Sequence, residues 1–419
     1  MIGVIAFIFV FGVVTGVHEF GHFYTAKKAG VRVREFSIGM GWKLFQTSRG
    51  DTTYTIRLLP IGAYVRMAGN AEMDDHPVRP GMSAVVVVAD GVVQRINLSD
   101  KVELVGGQAI IIDSIDLVDD LHIAGYLADD DTNLVRWPVD HDAHVIEEDG
   151  TELIIAPRDT HFESAKLWQR ALINFAGPFM NFVFAVLLFI GLAFAIPGVT
   201  TTTLDTVQKN APAYQAGLRS GDTIKKIDGT TVKTWQGMQD TIQALPGKTV
   251  TVTYERQGQT FKKQVHVKTV KSGATKIGQI GVTSKLTKSI GARVQYGFAT
   301  TGQAFTQLFR AIKALIAAPS LNQLGGPVSI YKTTETVSTF GFLALLSFMA
   351  WLSVNLGLMN LFPIPVLDGG KLALNAVEAI IRRPISEKVQ TGVTLIGVAL
   401  VLMLMVAVTW NDIMRYFIN

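Results

Sequence analysis

The 419-residue sequence contains no cysteine. That excludes disulfides, thiolate metal ligands, cysteine nucleophiles and lipid attachment through sulfur. Any metal must therefore be held by histidine and carboxylate. Charge is scarce as well: 17% of residues are charged, against 48% hydrophobic, where an ordinary soluble domain carries roughly 25% charged residues. No P-loop, G-x-G-x-x-G, G-x-S-x-G or internal repeat occurs, which removes the usual nucleotide-binding and serine-hydrolase chemistries. What the chain has in excess is apolar sequence, with a mean hydropathy of +0.32. This composition fits a polytopic membrane protein with substantial soluble parts. The net charge of +4 then reflects basic loops beside membrane spans, and no nucleic-acid partner is expected.

Four apolar runs stand out: 2–23, 171–196, 340–361 and 392–410. Each is close to the roughly 20 residues that cross about 30 Å of hydrocarbon. The first lacks a basic leading segment and a small-residue cleavage site, so it reads as a retained span. Residue 2 is Ile, which excludes N-myristoylation. Lys27, Lys28, Arg32 and Arg34 follow the first run, and Arg382, Arg383 and Lys388 precede the fourth. The positive-inside rule makes both groups cytoplasmic, which places both termini and the region between the second and third runs outside.

Between the spans, residues 31–68 alternate in a strand-like way, with turn signals at Gly39-Met40-Gly41 and Arg49-Gly50-Asp51, and predict β-hairpins close to the membrane. Residues 81–165 are β-rich with an acidic bias (Asp129-Asp130-Asp131, Glu147-Glu148-Asp149) and read as a cytoplasmic insertion. His141 and His144 lie among acids there, but a His pair without a third ligand reads as a solvated loop rather than a zinc site. Thr200–Thr203 reads as a linker. Beyond it, Ala216-Gly217-Leu218-Arg219-Ser220-Gly221-Asp222-Thr223-Ile224 through Ile227-Asp228-Gly229 resembles the PDZ signature, with strands expected at 249–256 and 264–270. PDZ domains bind extended chains by strand addition, so a peptide or chain end is one possible partner and gating is the other reading. Residues 298–317 have apolar residues at helical spacing, with Arg310 and Lys313 on another face. They predict either an amphipathic helix at the outer membrane surface or a packed helix.

The chemistry concentrates in His18-Glu19-Phe20-Gly21-His22. On a helix, i and i+4 share a face, so both imidazoles can bind one Zn²⁺ while Glu19 serves as general base. Three ionisable residues inside a span are costly and usually functional. Seventeen residues precede His18, about 25 Å of helix, which sets the metal inside the bilayer near its cytoplasmic side. A catalytic zinc has three protein ligands and an open position. The third should come from another span at similar depth, and Asp368 in Asn360-Leu361-Phe362-Pro363-Ile364-Pro365-Val366-Leu367-Asp368-Gly369 is the best carboxylate there. In Asn174-Phe175-Ala176-Gly177-Pro178-Phe179-Met180-Asn181, Gly177 permits close helix approach and Pro178 suits a helix start. Asn181 could hydrogen-bond substrate or an oxyanion, or join helices.

These elements, with Leu59-Pro60-Ile61-Gly62 and Tyr64 to Gly69, resemble in order and over nearly the whole chain the site-2 protease family of intramembrane zinc metalloproteases, in its bacterial RseP-like branch. The resemblance implies His18, His22 and Asp368 as zinc ligands and Glu19 as catalytic base. It implies substrate engagement by Asn360, Pro363 and Pro365, and a β-region at 31–68 that holds substrate extended. A single PDZ domain and the 81–165 insertion depart from two-PDZ Gram-negative relatives and fit the Gram-positive type. Ala63 stands where the family often has Gly, and Trp42 where it often has Pro.

The expected fold is four transmembrane helices with a membrane-associated β-region, a cytoplasmic β-rich insertion and an α+β PDZ domain. The segments are 1–27 (first span), 28–80 (β-hairpins), 81–165 (insertion), 166–199 (second span), 200–290 (PDZ), 291–339 (amphipathic helix region), 340–370 (third span), 371–390 (cytoplasmic loop) and 391–419 (fourth span). The expected activity is hydrolysis within membrane segments of single-span proteins already trimmed by another protease, such as anti-sigma factors and signal-peptide remnants, in the bacterial plasma membrane. The competing readings are a PDZ membrane scaffold with a vestigial metal site and a zinc transporter, since intramembrane His and Asp also mark ion pathways.

Overall fold

A computed structural model describes residues 2–69, 78–128, 130–272 and 275–418. Asp129 of the expected acidic run, and residues 70–77 of the expected β-hairpin segment, lie outside the described residues. The chain divides into two compact units, one of residues 1–183, 318–339 and 355–419, the other of residues 184–317 and 340–354.

Among the described residues, four helices are long and apolar enough to cross a membrane: α1 (Ile2–Lys28), α2 (Leu167–Ala195), α7 (Phe342–Asn360) and α9 (Glu387–Ile413). They cover the four apolar runs. In the first unit α1 is followed by a long hairpin, β1 (Val33–Arg49) and β2 (Thr52–Met67), turning at Gly50 with φ +62°. Gly39-Met40-Gly41 does not form the expected turn. It lies within β1, with Gly39 and Gly41 at φ +90° and +84°, where the register jumps between Ile38, Met40 and Lys43. Glycine is needed there because L-side chains rarely adopt positive φ. The kink lets Glu35–Ile38 pair both with Thr53–Ile56 and with Ala63–Arg66. Beyond it, Trp42, Leu44, Phe45, Leu58 and Leu59 are exposed.

The insertion is a sheet of six strands, β3 (Ser83–Ala89), β4 (Val92–Asn97), β5 (Gln108–Asp116), β6 (His122–Leu127), β7 (Asp130–Ile146) and β8 (Glu152–Ile154), in the order β4-β3-β5-β6-β7-β8. An additional parallel pairing of β4 with β7 closes the circuit. Alternating residues such as Val86, Ile96, Ile110, Ile112 and Val145 fill the interior, the period-2 pattern that makes a strand half-buried. His141 and His144 belong to β7 rather than to the loop expected for them.

The insertion leaves and rejoins the hairpin at one place. Ala68 N donates to Arg32 O (2.8 Å), Phe162 N to Ala68 O (2.9 Å) and Arg32 N to Thr160 O (2.9 Å). Arg32 also pairs with Asp142 (2.6 Å), and Arg34 Nη1 donates to the Ile154 carbonyl.

Two further helices complete this unit. α6 (Pro327–Ser338) packs on α1 through Tyr331 against Phe7, and its N-terminal N–H groups at Gly326 and Ser329 donate to Asp412 of α9 (2.9 and 3.0 Å). α8 (Asp368–Ile381) occupies most of the segment expected as a cytoplasmic loop at 371–390. Its buried Glu378 accepts from Arg170 Nη2 of α2 (2.6 Å) and from Ile385 N (3.0 Å).

The second unit holds the PDZ-type domain. Its sheet runs β13-β12-β10-β9-β16, from β9 (Val199–Val207), β10 (Thr223–Ile227), β12 (Thr249–Arg256), β13 (Gln259–His266) and β16 (Val282–Thr287). β11 (Thr230–Thr231) pairs with β10, and β14 (Lys268–Ser272) pairs with β15 (Thr275–Gln279). Helices α3 (Pro212–Gln215) and α4 (Trp235–Gln243) complete it. Thr200–Thr203 is part of β9, not a linker, as its β-branched residues favour. The expected strand at 264–270 is shared between β13 and β14. The Gly-Asp of the PDZ signature has a structural reason: Asp222 is fully buried and takes a two-pronged pair from Arg256 (2.6 and 2.8 Å).

Here too lies α5 (Ile290–Ala317), which begins earlier than the apolar spacing predicted. Its small residues Gly297, Thr301 and Ala304 are buried, and Phe298, Phe309 and Ile316 are exposed. A Cβ on Gly297 would lie 2.3 Å from Ile190 of α2, so α5 packs against that helix as well as exposing an apolar face.

Candidate metal centre

α1 delivers His18 and His22 to one face, and both are buried. α8 delivers Asp368 from its first turn. His18 Nε2 lies 3.1 Å and His22 Nε2 3.3 Å from Asp368 Oδ2, and the two Nε2 atoms are 3.3 Å apart. Among the described residues these form the group of three His and carboxylate donors gathered within 4.8 Å.

Proton positions follow from the outer nitrogens. His22 Nδ1 faces the Ile173 carbonyl at 2.8 Å. A carbonyl only accepts, so the proton is on Nδ1 and Nε2 carries a lone pair in the neutral ring. His18 Nδ1 lies 3.1 Å from Asn181 Nδ2, and turning that amide by 180° puts its oxygen there to accept the matching proton. Two nitrogen lone pairs and a carboxylate oxygen then converge on one point, an arrangement that calls for a cation. Tetrahedral zinc with bonds of 2.0–2.1 Å separates its ligand atoms by about 3.3–3.4 Å. Two of the three separations match that figure and the third, His18 to Asp368 at 3.1 Å, is slightly shorter, so the residues fit the metal. The second partner of each ring is what metal-binding histidines require. Asn181 thus orients His18 and in doing so joins α2 to α1, the second of the two uses the sequence suggested.

Glycine makes the convergence possible. A Cβ on Gly21 would lie 2.3 Å from the Ala176 carbonyl oxygen, so α1 and α2 cross almost backbone to backbone. A Cβ on Gly177 would lie 2.3 Å from His22 Nε2 and 2.9 Å from His18 Cε1, inside the donor set. Pro178 does not start α2. It lies inside the helix, where its missing N–H deprives the Asn174 carbonyl of its helical donor.

The Asp368 loop is folded just as tightly. Added Cβ atoms on Gly369 and Gly370 would lie 2.3 Å from the carbonyl oxygens of Leu361 and Ile364. Val366 is held at φ +89°, a strained conformation for a β-branched residue. Pro365 backs onto Gly397 of α9, whose added Cβ would lie 2.3 Å from the Pro365 carbonyl oxygen.

A cavity of about 550 Å³ opens on the donors, lined by Glu19, Asn360, Asp368 and Lys371, by the strand from Gly62 to Gly69 (with Arg66 excepted), and by Phe162 and Glu163 from the end of the insertion. Asn360 and Val366 line it, whereas Pro363 and Pro365 of the same loop are not among the lining residues. Sequence reasoning missed Lys371 and Glu163, whereas the close helix approach it read at Gly177 is what the structure shows. For Lys371 the signal was present, three residues after Asp368 on a helix.

Peptidase family M50 matches residues 6–404. The chain belongs to peptidase family M50. Among its M50 relatives, a Lactococcus lactis protein named as a zinc metalloprotease is 40% identical over 431 residues, covering 99% of each chain. The Enterococcus faecalis protease Eep is 44% identical over 419 residues, again covering 99% of each. The solved PDZ domain of an SdrC-like protein from Listeria monocytogenes is 26% identical, covering 21% of this chain and 88% of that one, with a TM-score of 0.18.

Proposed function

We propose that this M50 peptidase is an intramembrane zinc metalloprotease that cuts peptide bonds within the membrane segments of pre-trimmed membrane proteins. The observation that carries the reading is the convergence of His18, His22 and Asp368 at tetrahedral spacing beside Glu19, on helices apolar enough to span a membrane. Bound through those three donors, zinc would supply a Lewis acid and lower the pKa of a water molecule there to about 7. Glu19 takes the proton of the attacking water and returns it to the departing amine. Ile173 and Asn181 hold the imidazoles in the metal-binding tautomer.

A membrane helix hides its peptide bonds in its own hydrogen bonds, so the substrate must unwind before it is cut. The cavity-facing edge of β2, Gly62 to Met67, offers backbone partners to such an extended segment, since its other side pairs with Val33–Ile38. Asn360 contacts the segment in the cavity, and Pro363 and Pro365 shape the loop that meets it. Exposed Trp42, Leu44 and Phe45 fit a hairpin immersed in lipid. By charge, Lys27, Lys28, Arg382 and Arg383 face the cytoplasm, which sets the PDZ domain and both termini outside a bacterial plasma membrane. The substrates are single-span proteins after a first cut, of the anti-sigma-factor or signal-peptide-remnant type, in regulated intramembrane proteolysis. The PDZ domain admits or holds their trimmed ends.

The test is cleavage of a pre-trimmed single-span reporter by wild type and Glu19→Gln in the same membranes. Loss of cleavage with zinc retained is expected. Equal cleavage by both would assign the cutting to another enzyme and leave a scaffold.

A further inference from the structure

We propose that Lys371 is a further catalytic residue, its ammonium stabilising the negative charge that develops on the substrate carbonyl oxygen. This inference rests on the proteolytic reading above.

Lys371 and Asp368 stand one turn apart on α8, and residues at i and i+3 of a helix share a face. Both line the cavity that contains Glu19. The other charged side chains on its wall are acidic, namely Glu19, Glu163 and Asp368, and Lys371 is the one permanently cationic side chain among the lining residues. The arginines nearby in the fold are matched: Arg57 with Glu35, Arg170 with Glu378, and Arg32 with Asp142. The Lys371 ammonium forms no hydrogen bond or ion pair with the described residues, although its charge reaches Glu19. A cation left unmatched beside three carboxylates is available to an anion that exists only during the reaction.

The chemistry supplies that anion. As water attacks, a C–O bond forms and the π pair of the C=O bond moves onto oxygen. The water proton passes to Glu19. One negative charge therefore leaves the Glu19 carboxylate and appears on the substrate oxygen, with the total unchanged. When the C–N bond breaks, the C=O bond re-forms and the proton goes to the amine. A fixed cation accelerates this only if it favours the second charge position over the first, because binding both states equally leaves kcat unchanged. Lys371 projects from the helix that carries Asp368, whereas Glu19 is on α1. The ammonium and the Glu19 carboxylate therefore enter the cavity from different elements, so the cation need not favour the Glu19 charge.

The experiment compares wild type, Lys371→Met and Lys371→Arg as full-length protein in vesicles, reading kcat and KM on the single-span reporter, zinc content, and affinity for a phosphinic peptide that mimics the tetrahedral adduct. Loss of one oxyanion donor costs about 10²–10³ in kcat. Lys371→Met is expected to lose about 10²-fold in kcat with KM and zinc content unchanged, and to bind the phosphinic peptide correspondingly less tightly. Lys371→Arg is expected to recover most of both. Wild-type kcat in Lys371→Met, a change confined to KM, or zinc loss in both variants would overturn the role of Lys371 while leaving the protease reading intact. Failure of wild type itself to cleave any reporter would remove the protease reading, and this role with it.

Discussion

Two clusters in this protein pair histidine with aspartate at 3.1 Å, and they do opposite things. At His18, His22 and Asp368 the side chains are 8%, 9% and 10% exposed. The outer ring nitrogens are occupied by Ile173 and Asn181, so the inner lone pairs and the carboxylate face one another. At His141 the ring is 45% exposed and its partners Asp142 and Asp159 are 67% and 71% exposed. There the two ring nitrogens face separate carboxylates, which requires both to donate, as only the protonated ring can. The first arrangement calls for a cation and the second contains one. Distance alone does not tell a metal centre from an ion pair. The fate of the far nitrogen does.

The strongest way to break the comparison is to remove one histidine from each cluster. His22→Ala should lose zinc and reporter cleavage, whereas His141→Ala should retain both. Zinc analysis of the two purified proteins decides it, and equal zinc loss would place the metal elsewhere. A smaller effect is expected from Gly177→Ala, whose new methyl would have to displace an imidazole. Disturbed support of ligands typically costs about 10–100-fold in metal affinity, and competition with a chelator should show a loss of that order with helicity unchanged.

The smallest effect should be the pH dependence of the exposed cluster. Burial alone would lower the His141 pKa, but hydrogen bonds to Asp142 and Asp159 outweigh it and raise it. Its contribution is therefore complete below the unfolded value of about 6.5 and is lost as pH rises through the higher folded value. At such exposure the contribution is at most about 1 kcal/mol. Thermal melts from pH 6 to 9 should fall slightly more for wild type than for His141→Gln, and parallel curves would show the pair to be without effect on stability.

The sequence carried what is local. The His18-Glu19-x-x-His22 spacing, the apolar runs and the PDZ Gly-Asp turn each depend on neighbours a few residues away. Asp368 was legible through its depth in the chain's spans. What stayed hidden depends on partners far along the chain. Pro178 reads as a helix start until Leu167–Ala195 is seen to run through it. The helix at 368–381 reads as a loop because basic residues follow it, and its buried Glu378 finds its partner 208 residues away. Gly39 and Gly41 read as a turn because positive φ serves a kink within a strand equally well. Asn181 needed His18, 163 positions distant, before its amide had a use.

The stitch joining Arg32, Ala68 and Phe162 makes the β-rich insertion a closed excursion: the backbone leaves after Ala68 and returns, hydrogen-bonded to it, at Phe162. Chain-closure entropy then grows only with the logarithm of what lies between, at about 0.6 kcal/mol for each doubling of length. The insertion is free to lengthen, shrink or be exchanged without moving the histidines, provided Phe162 still docks at Ala68 and Arg32 and Arg34 find partners equivalent to Asp142 and Ile154. In such a chain that seam is the natural point at which to graft a different module onto an unaltered protease.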